Sequence, residues 1–490
     1  MATFDPNTVE LPGGSYVGGA TSSGSGEELP VLRPSDGRVA KVFREATEPD
    51  VDAAVSRAHH AFLTADWARC DPRRRAGVLR RWADLVEQNV DQLARLESLS
   101  SSRPISETLA RDVRVTAELL RFYGECADKI SGDVFRTASS TLNFTELEPY
   151  GVVAAISPWN VPLLLATVKV APALAAGNAV VLKPSELTPF SILRLAELGV
   201  AAGLPKDIFN VVIGRGHVTG AALVRHPQVR YVAFTGSTAT GAAIMAEAAR
   251  SGLKPVSLEL GGKNPQVVFA DVASVDRVAD AVALGVTRNS GQLCFCGSRL
   301  IVERSIADEL LGKVGARIKQ AKPGPTWNEE TSLPPIISSK QAERIESILA
   351  ESTRAGAEIV AGGKRFGSNG AAFFEPTIVV NAAIETAVGR EEVFGPVLAV
   401  QTFEDAQEAM SLAAHPLYGL TAGVHTRDID KALKAARGLE VGTVWINSYG
   451  RGNDLASPFG GYKQSGFGKD FGTAGYEKYL RSKSINIAIS

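Results

Sequence analysis

Hydrophobic positions along this chain change their period as the sequence is read. From about residue 48 to 125 they recur every three or four residues, the spacing of amphipathic helices. Asp71-Pro72 is a start signal for one such helix, with Asp as N-cap and Pro in the first turn. Leu79, Trp82, Leu85 and Val86 form its apolar stripe, which leaves Arg73, Arg74, Arg75, Arg80 and Arg81 as its solvated face. From about 150 the pattern becomes continuous apolar runs (GVVAAIS, AVVLK, FNVVI, YVAF, PVSLEL) separated by helical segments such as VPLLLATVKVAPALAAG. Runs of that kind are strands buried on both faces, and five of them alternating with helices predict a doubly wound parallel sheet. A second α/β section follows from about 261 to 445, with strands QVVFA, RLIVE, TIVV, VLAVQTF and TAGVHT and helices near 274–288, 305–321 and 338–355. The alternating segment TASSTLNFTELEPY (138–150) and the tail SINIAIS are expected to pair as an edge sheet, a surface often used between subunits. The Gly- and Ser-rich first forty residues read as loop and edge strand.

Composition narrows the class. The chain has 490 residues, 45% hydrophobic and 21% charged, so two or three domains are expected. Its 52 basic and 53 acidic residues leave a net charge of -1, which gives no electrostatic case for a nucleic-acid or membrane-surface partner. No run is long and apolar enough to span a membrane, and the N-terminus lacks a signal-peptide layout. Four cysteines are too few for a disulfide scaffold. Cys294 and Cys296 have poor spacing for zinc, and no metal site is expected. A soluble cytoplasmic enzyme is the reading.

Ligands of doubly wound sheets bind beyond the carboxyl ends of the strands, and these ends are polar or Gly-rich here. The first carries Ser157-Pro158-Trp159-Asn160, the second Lys183-Pro184-Ser185-Glu186, the fourth Phe234-Thr235-Gly236-Ser237, the fifth Glu259-Leu260-Gly261-Gly262. A Gly-Ser turn entering a helix offers free N–H groups and a positive dipole end to a pyrophosphate. Lys183 and Glu186 can hydrogen-bond ribose hydroxyls, and a Glu there repels a 2′-phosphate, favouring NAD over NADP. GRGHVTG (214–220) has the wrong spacing for a dinucleotide fingerprint and reads as a turn contacting the adenine end.

Cys294 follows a Gly-Gln turn in NSGQLCFCGSR. A single cysteine is usually a small core residue. This one has company: a carboxylate (Glu259) and a carboxamide (Asn160) come from separate strand ends, while none of the six histidines lies in these motifs. A thiol partnered by a carboxylate and a dinucleotide points to redox acyl chemistry. In order, PWN, LKPSE, FTGSTxxG, LELGGK, GQxC, EEVFGP and PFGGYKxSG resemble the aldehyde dehydrogenase superfamily from about residue 30 to 480.

The resemblance implies a Rossmann-like cofactor domain (1–127 and 150–260), a catalytic domain (261–460) and oligomerisation strands (128–149 and 470–490) in a homodimer or homotetramer. It implies Cys294 as nucleophile and an oxyanion hole from the Asn160 amide and the Cys294 N–H. Glu259 is then the base that activates the hydrolytic water. Ser157, Trp159, Gly216, Gly236 and Ser237 would line the cofactor groove, Lys183 and Glu186 bind the adenosine ribose, and Glu392 and Phe394 grip the nicotinamide end of NAD (NADP being possible). Lys169 resembles a family lysine on a proton-exit route or is a helix-surface lysine, and Cys296 is a bystander. Where relatives carry aromatic residues, this chain has Val161 and Val168, with Leu165 between them; Leu293, Phe295 and Phe459 complete a pocket expected to be wide and apolar. Such a pocket suits medium-chain, terpenoid or aromatic aldehydes, whereas Arg451 turned inward would favour an acidic semialdehyde. An acylating, coenzyme A-dependent enzyme and a non-catalytic protein of the same fold are the competing readings.

Overall fold

The five apolar runs of the first section become the parallel strands of one sheet. They are β1 (Val152–Ile156), β2 (Ala179–Lys183), β3 (Phe209–Val211), β4 (Val229–Thr235) and β5 (Val256–Glu259), in the spatial order β3-β2-β1-β4-β5. The computed structural model describes residues 3–367, 370–450 and 454–489. Val152 to Ala155 are fully buried, so β1 shows no polar alternation: both of its faces are covered by helices. The strand order reverses between β1 and β4, and a crevice opens there at the carboxyl ends. Short antiparallel strands close the two edges, Ser15–Val17 beside β3 and Gly466–Phe467 beside β5. The chain thus returns to its first sheet near its end.

The second sheet is built from β6 (Pro265–Val268), β7 (Arg299–Glu303), β8 (Thr377–Val380), β9 (Val397–Phe403), β10 (Thr421–His425) and β11 (Thr443–Ile446). They run parallel in the order β8-β9-β7-β6-β10-β11, with Glu358–Ala361 antiparallel on the outer edge. Only five residues separate the end of β5 from the start of β6, so the two sheets are held close at the point where Gly261 and Gly262 lie. Thr141–Pro149 pairs antiparallel with Leu480–Ala488 over its whole length, forming a third sheet with Val134–Phe135.

Helices Glu48–Thr64, Pro72–Gln88, Val90–Ser100 and Val113–Cys126 fill the first section. Asp71 caps the second of these, its carboxylate accepting from the Arg73 N–H. One of the arginines expected on its solvated face is instead buried. Arg75 donates to the backbone carbonyls of Ala175, Trp67 and Cys70 at 2.9 to 3.2 Å, so three carbonyl dipoles replace water around its charge. Gly472–Glu477 is a helix within the tail segment, and only Leu480–Ala488 extends as strand there. Among the described residues no helix is long and apolar enough to cross a membrane.

Candidate active site

Three consecutive left-handed residues, Asn289 (φ 51°), Ser290 (φ 52°) and Gly291 (φ 70°), turn the chain sharply after the helix Val275–Thr287. Each non-glycine residue in that region costs about 1–2 kcal/mol, so the turn needs outside support. Asn289 donates its amide to the Asn160 carbonyl at 3.1 Å and Ser290 its hydroxyl to the Pro334 carbonyl. Gln292 donates to the carbonyls of Asn289 (3.0 Å) and Pro335 (3.2 Å) and accepts from the Ile337 N–H at 2.9 Å. A β-carbon on Gly291 would collide with the Gly395 carbonyl. Cys294 stands at the end of this braced turn, half-buried, its carbonyl and that of Cys296 both accepting from the Asn264 amide at 2.9 Å. Asn264 carried no signal in the sequence.

Asn160 is 4% exposed, and its amide donates to the Gln292 carbonyl at 3.0 Å. A carboxamide has two N–H donors, so this bond orients the group and leaves the second hydrogen for another acceptor. Glu259, the last residue of β5, is buried, and neither carboxylate oxygen has a hydrogen-bond partner among the described residues. Burial and the nearby Asp470 carboxylate hold its pKa well above the usual carboxylate range, against the pull of Lys478, Lys169 and Lys469. Lys169 is not on a helix surface: it is fully buried, and its ammonium lies 3.4 Å from Asp470, which also binds Lys478. Burial, then the charges of Glu392 and Glu259, push the Cys294 thiol up to about 12. Cys296 is buried as well and lines neither cavity of the site.

Two cavities meet at these residues. The first is a groove of about 490 Å³ whose walls include Trp159, Asn160, Gly236, Ser237, Glu259, Cys294, Glu392 and Phe394. Ser237 caps the helix Thr238–Arg250, so that helix presents its N-terminus to the groove. Trp159 meets Phe394 edge-on, with centroids 5.2 Å apart at 84°. Glu392 is anchored by the Gly262 N–H at 3.1 Å, and a β-carbon on Gly261 would strike its carboxylate. Burial raises the Glu392 carboxyl to about 7. Thr238 and Ala239, within the FTGSTxxG motif, also wall the groove, as do Gln341, Arg344 and Tyr418, which lie in no motif. Gln341 and Arg344 donate to the carbonyls of Glu392, Val393 and Phe394, fixing the loop in which Phe394 has φ 55°. Thr235 in its wall holds a buried hydroxyl with no partner among the described residues, as does Ser157 just outside the wall. With a helix N-terminus, an anchored carboxylate and orphaned hydroxyls, the groove fits a dinucleotide.

Of the expected cofactor residues, Ser157 is not in the wall of this groove, and neither are Lys183, Glu186 and Gly216; the last three lie beyond the ends of β2 and β3. They cluster further along the sheet edge. The Lys183 ammonium donates to the carbonyls of Pro184 and Gly214, both at 2.7 Å, with Glu186 at 3.4 Å. All three of its donors are therefore engaged, whereas Glu186 keeps a third of its side chain exposed.

The second cavity is apolar and narrow, about 60 Å³, and shares Asn160, Leu165, Glu259 and Cys294 with the groove. Val161, Leu165, Leu293, Phe295 and Phe459 line it as expected from their positions, and Phe295 packs edge-on against Phe459 at 6.4 Å. Val168 does not. It lies two helical turns, about 10 Å, beyond Val161 along the helix Pro162–Ala175, deeper than the cavity reaches; Leu164 holds that face instead. Val115, Leu455 and Phe471 supply further apolar wall, which accounts for a bore narrower than small side chains at 161 and 168 imply. Arg451 lies outside the described residues. Among the described residues no histidine lines either cavity, and no group of His, Cys, Asp and Glu is placed to hold a metal ion.

Known proteins resemble this chain over nearly its whole length. The sequence profile of the aldehyde dehydrogenase family matches residues 21–485. The NADP/NAD-dependent aldehyde dehydrogenase PuuC of Escherichia coli is 41% identical over 470 residues, covering 96% of this chain and 94% of its own. A crystal structure of an indole-3-acetaldehyde dehydrogenase in complex with NAD+ superposes with a TM-score of 0.96 at 40% identity, over 99% of this chain and 98% of that one. The γ-glutamyl-γ-aminobutyraldehyde dehydrogenase of Burkholderia cenocepacia gives the same score, identity and coverage. On profile, sequence and superposition alike, the chain belongs to the aldehyde dehydrogenase family.

Proposed function

We propose that this protein oxidises an aldehyde to the carboxylic acid with NAD(P), through a thiohemiacetal and then a thioester on Cys294, and releases the acid by hydrolysis. The observation that carries this reading is that Cys294, Asn160 and Glu259 stand together where the cofactor-sized groove opens into the apolar pocket. Sγ of Cys294 adds to the carbonyl carbon. The oxygen that gains charge is met by the second N–H of Asn160 and by the Cys294 backbone N–H, donors already fixed by their neighbours. When bound, NAD(P) supplies the two-electron oxidant and a positive ring charge, and that charge opposes the pull of Glu392 and Glu259 towards the neutral thiol. Glu259, with both oxygens lacking partners among the described residues, takes a proton from the water that attacks the thioester. Glu392, Phe394, Trp159, Gly236, Ser237 and Ser157 hold the cofactor. Glu186 and Gly216 receive its adenosine end, with Lys183 holding Glu186 in place, and the partly exposed Glu186 favours NAD.

The narrow pocket suits a slender medium-chain aldehyde in the first place and a flat aromatic one in the second. The relatives named above act on different aldehydes, so family membership selects none of these. A homodimer or homotetramer joined through the third sheet, and a reducing cytoplasmic setting that keeps the four free cysteines as thiols, complete the proposal.

Steady-state rates with NAD and NADP over a panel of aldehydes test it, with the product identified. Free acid must appear without coenzyme A, and Cys294→Ala must abolish it. Acid formation that requires coenzyme A would make the enzyme acylating, and undiminished turnover by Cys294→Ala would remove the nucleophile from its role.

A further inference from the structure

Another cavity, of about 170 Å³, lies in the second section at the amino ends of β6, β7 and β10. Its wall includes Lys263, Arg299, His415, Tyr418, Glu440 and Lys463. Neither Cys294 nor Glu259 is in that wall, and the oxidation gives its basic side chains nothing to do. The cavity nevertheless backs on the support of the nucleophile. Lys263 directly precedes Asn264, whose amide holds the Cys294 and Cys296 carbonyls. Tyr418 is common to this wall and to that of the cofactor groove.

Two of its cations are sunk in the protein without an ion pair. Lys263 is 1% and Arg299 2% exposed, and the Lys263 ammonium has no hydrogen-bond partner among the described residues. Arg299 spends one N–H on each of three carbonyls, those of Lys263 (3.0 Å), Leu412 and Ala413 (both 2.8 Å). A guanidinium has five, so two remain. Burial, then the like charge of Arg299, pulls the Lys263 ammonium down to about 7. Arg344 acts in the same sense, while Cys296 and Glu392 oppose it. Neither opposing group is in the wall: Glu392 faces the cofactor groove, and the Cys296 thiol is itself pushed up to about 12 by burial. His415 feels the same field. Burial and Arg299, with Lys263 and Lys463 adding, push it down to about 4. It is therefore neutral, donating from Nε2 to the Arg390 carbonyl and accepting at Nδ1 from the Leu417 and Tyr418 N–H groups. The carboxylate in the wall, Glu440, has 74% of its side chain exposed and is bonded to Lys463 at 2.7 Å, so this pair stands at the rim. A buried ammonium without an acceptor is costly, and an anion within reach would restore both its hydrogen bonds and its charge balance.

We propose that Lys263 and Arg299, with Lys463 at the mouth, form a binding site for a phosphate-class oxoanion, taken as the free ion or as the phosphoryl group of a small molecule. The test titrates inorganic phosphate into the intact enzyme by calorimetry, with NAD at saturation so that the groove is already filled. Phosphate should bind at millimolar concentration or below, and Lys263→Met should weaken it by at least ~10-fold. Lys463→Gln, a change at the partly exposed rim, should weaken it by about 2- to 5-fold, and Glu440→Gln should tighten it by a similar factor. Phosphate should also raise the urea midpoint of the unmodified enzyme and leave that of Lys263→Met in place. Glycerol phosphate separates the two sources: an ester that binds more tightly than the free ion assigns the site to a phosphorylated small molecule, and a weaker one assigns it to phosphate itself. Absence of binding at millimolar phosphate overturns the proposal. Binding unmoved by both Lys263→Met and Lys463→Gln overturns it too, because the ion then sits elsewhere. None of these readouts depends on turnover, so aldehyde oxidation stands or falls separately.

Discussion

At the scale of single residues, Glu259 shows how one side chain takes its chemistry from its surroundings. An unpartnered carboxyl beside the negative Asp470 keeps its proton to higher pH than a free carboxylate. Its basic form exists only above that raised pKa, so hydrolysis should fail as pH falls through it. The pH–rate profile should accordingly rise with an apparent pKa well above the usual carboxylate range. Asp470→Asn removes the like charge and leaves Lys169 and Lys478 nearby, so the rising limb should move to lower pH. A limb that stays in place would show that another group titrates. Glu259→Gln should allow a burst of reduced cofactor in stopped-flow traces and then stall. Glu259, Asn160 and Cys294 were all legible in the sequence because each stands at a strand end or turn within a recognisable motif. Asp470 was not: no motif marks it, and its importance arises from approach in space.

At the scale of elements, the turn Asn289–Gly291 and the segment Ile105–Asp112 illustrate two kinds of local demand. The turn places three left-handed residues before the nucleophile, and only Gly291 has no side chain to accommodate. Gly291→Ala should shift the Cys294 backbone and lower kcat by ~10²-fold or more, since misplacing a reacting group by about 1 Å costs that much. Cofactor affinity, measured by fluorescence titration, should change far less. The second segment is anchored by the buried Arg103–Asp112 pair. Asp112→Asn leaves the buried Arg103 guanidinium only Glu107 as an ion-pair partner, which it shares with Arg288, and should destabilise the fold by roughly 3 kcal/mol, readable as a lower urea midpoint. Periodicity located the helices well, yet it misplaced two side chains. Arg75 looked solvated and is buried under carbonyls; Val168 looked like pocket wall and lies beyond it. Hydrophobic pattern reports which face of a helix is covered, but not how far along that face a cavity extends.

At the scale of the whole molecule, β-strand order and sheet spacing set the site. The reversal between β1 and β4 opens the crevice, and the short β5–β6 link brings Cys294, from the second section, against it. The α/β alternation in the sequence foretold the first of these features. The return of Gly466–Phe467 to the edge of the first sheet was not foretold, because a two-residue strand carries no period. The third sheet leaves Val134, Phe135, Leu142 and Ile487 at 69%, 46%, 40% and 46% exposure. By register Val134, Leu142 and Ile487 share one face across the three strands, and exposed apolar surface of that kind favours association of subunits. Light scattering should report a dimer or tetramer, and Ile487→Arg with Leu142→Arg should drive it to smaller species.

The meeting of two cavities at Cys294 also sets the kinetic grammar of the enzyme. In the proposed reading cofactor and aldehyde reach Cys294 through separate cavities, so occupancy of one does not block the other. An unreactive analogue of the product acid should therefore compete with the aldehyde alone. Against the dinucleotide it should lower the maximal rate without displacing it, and double-reciprocal plots that converge off the ordinate would record two doors on one room.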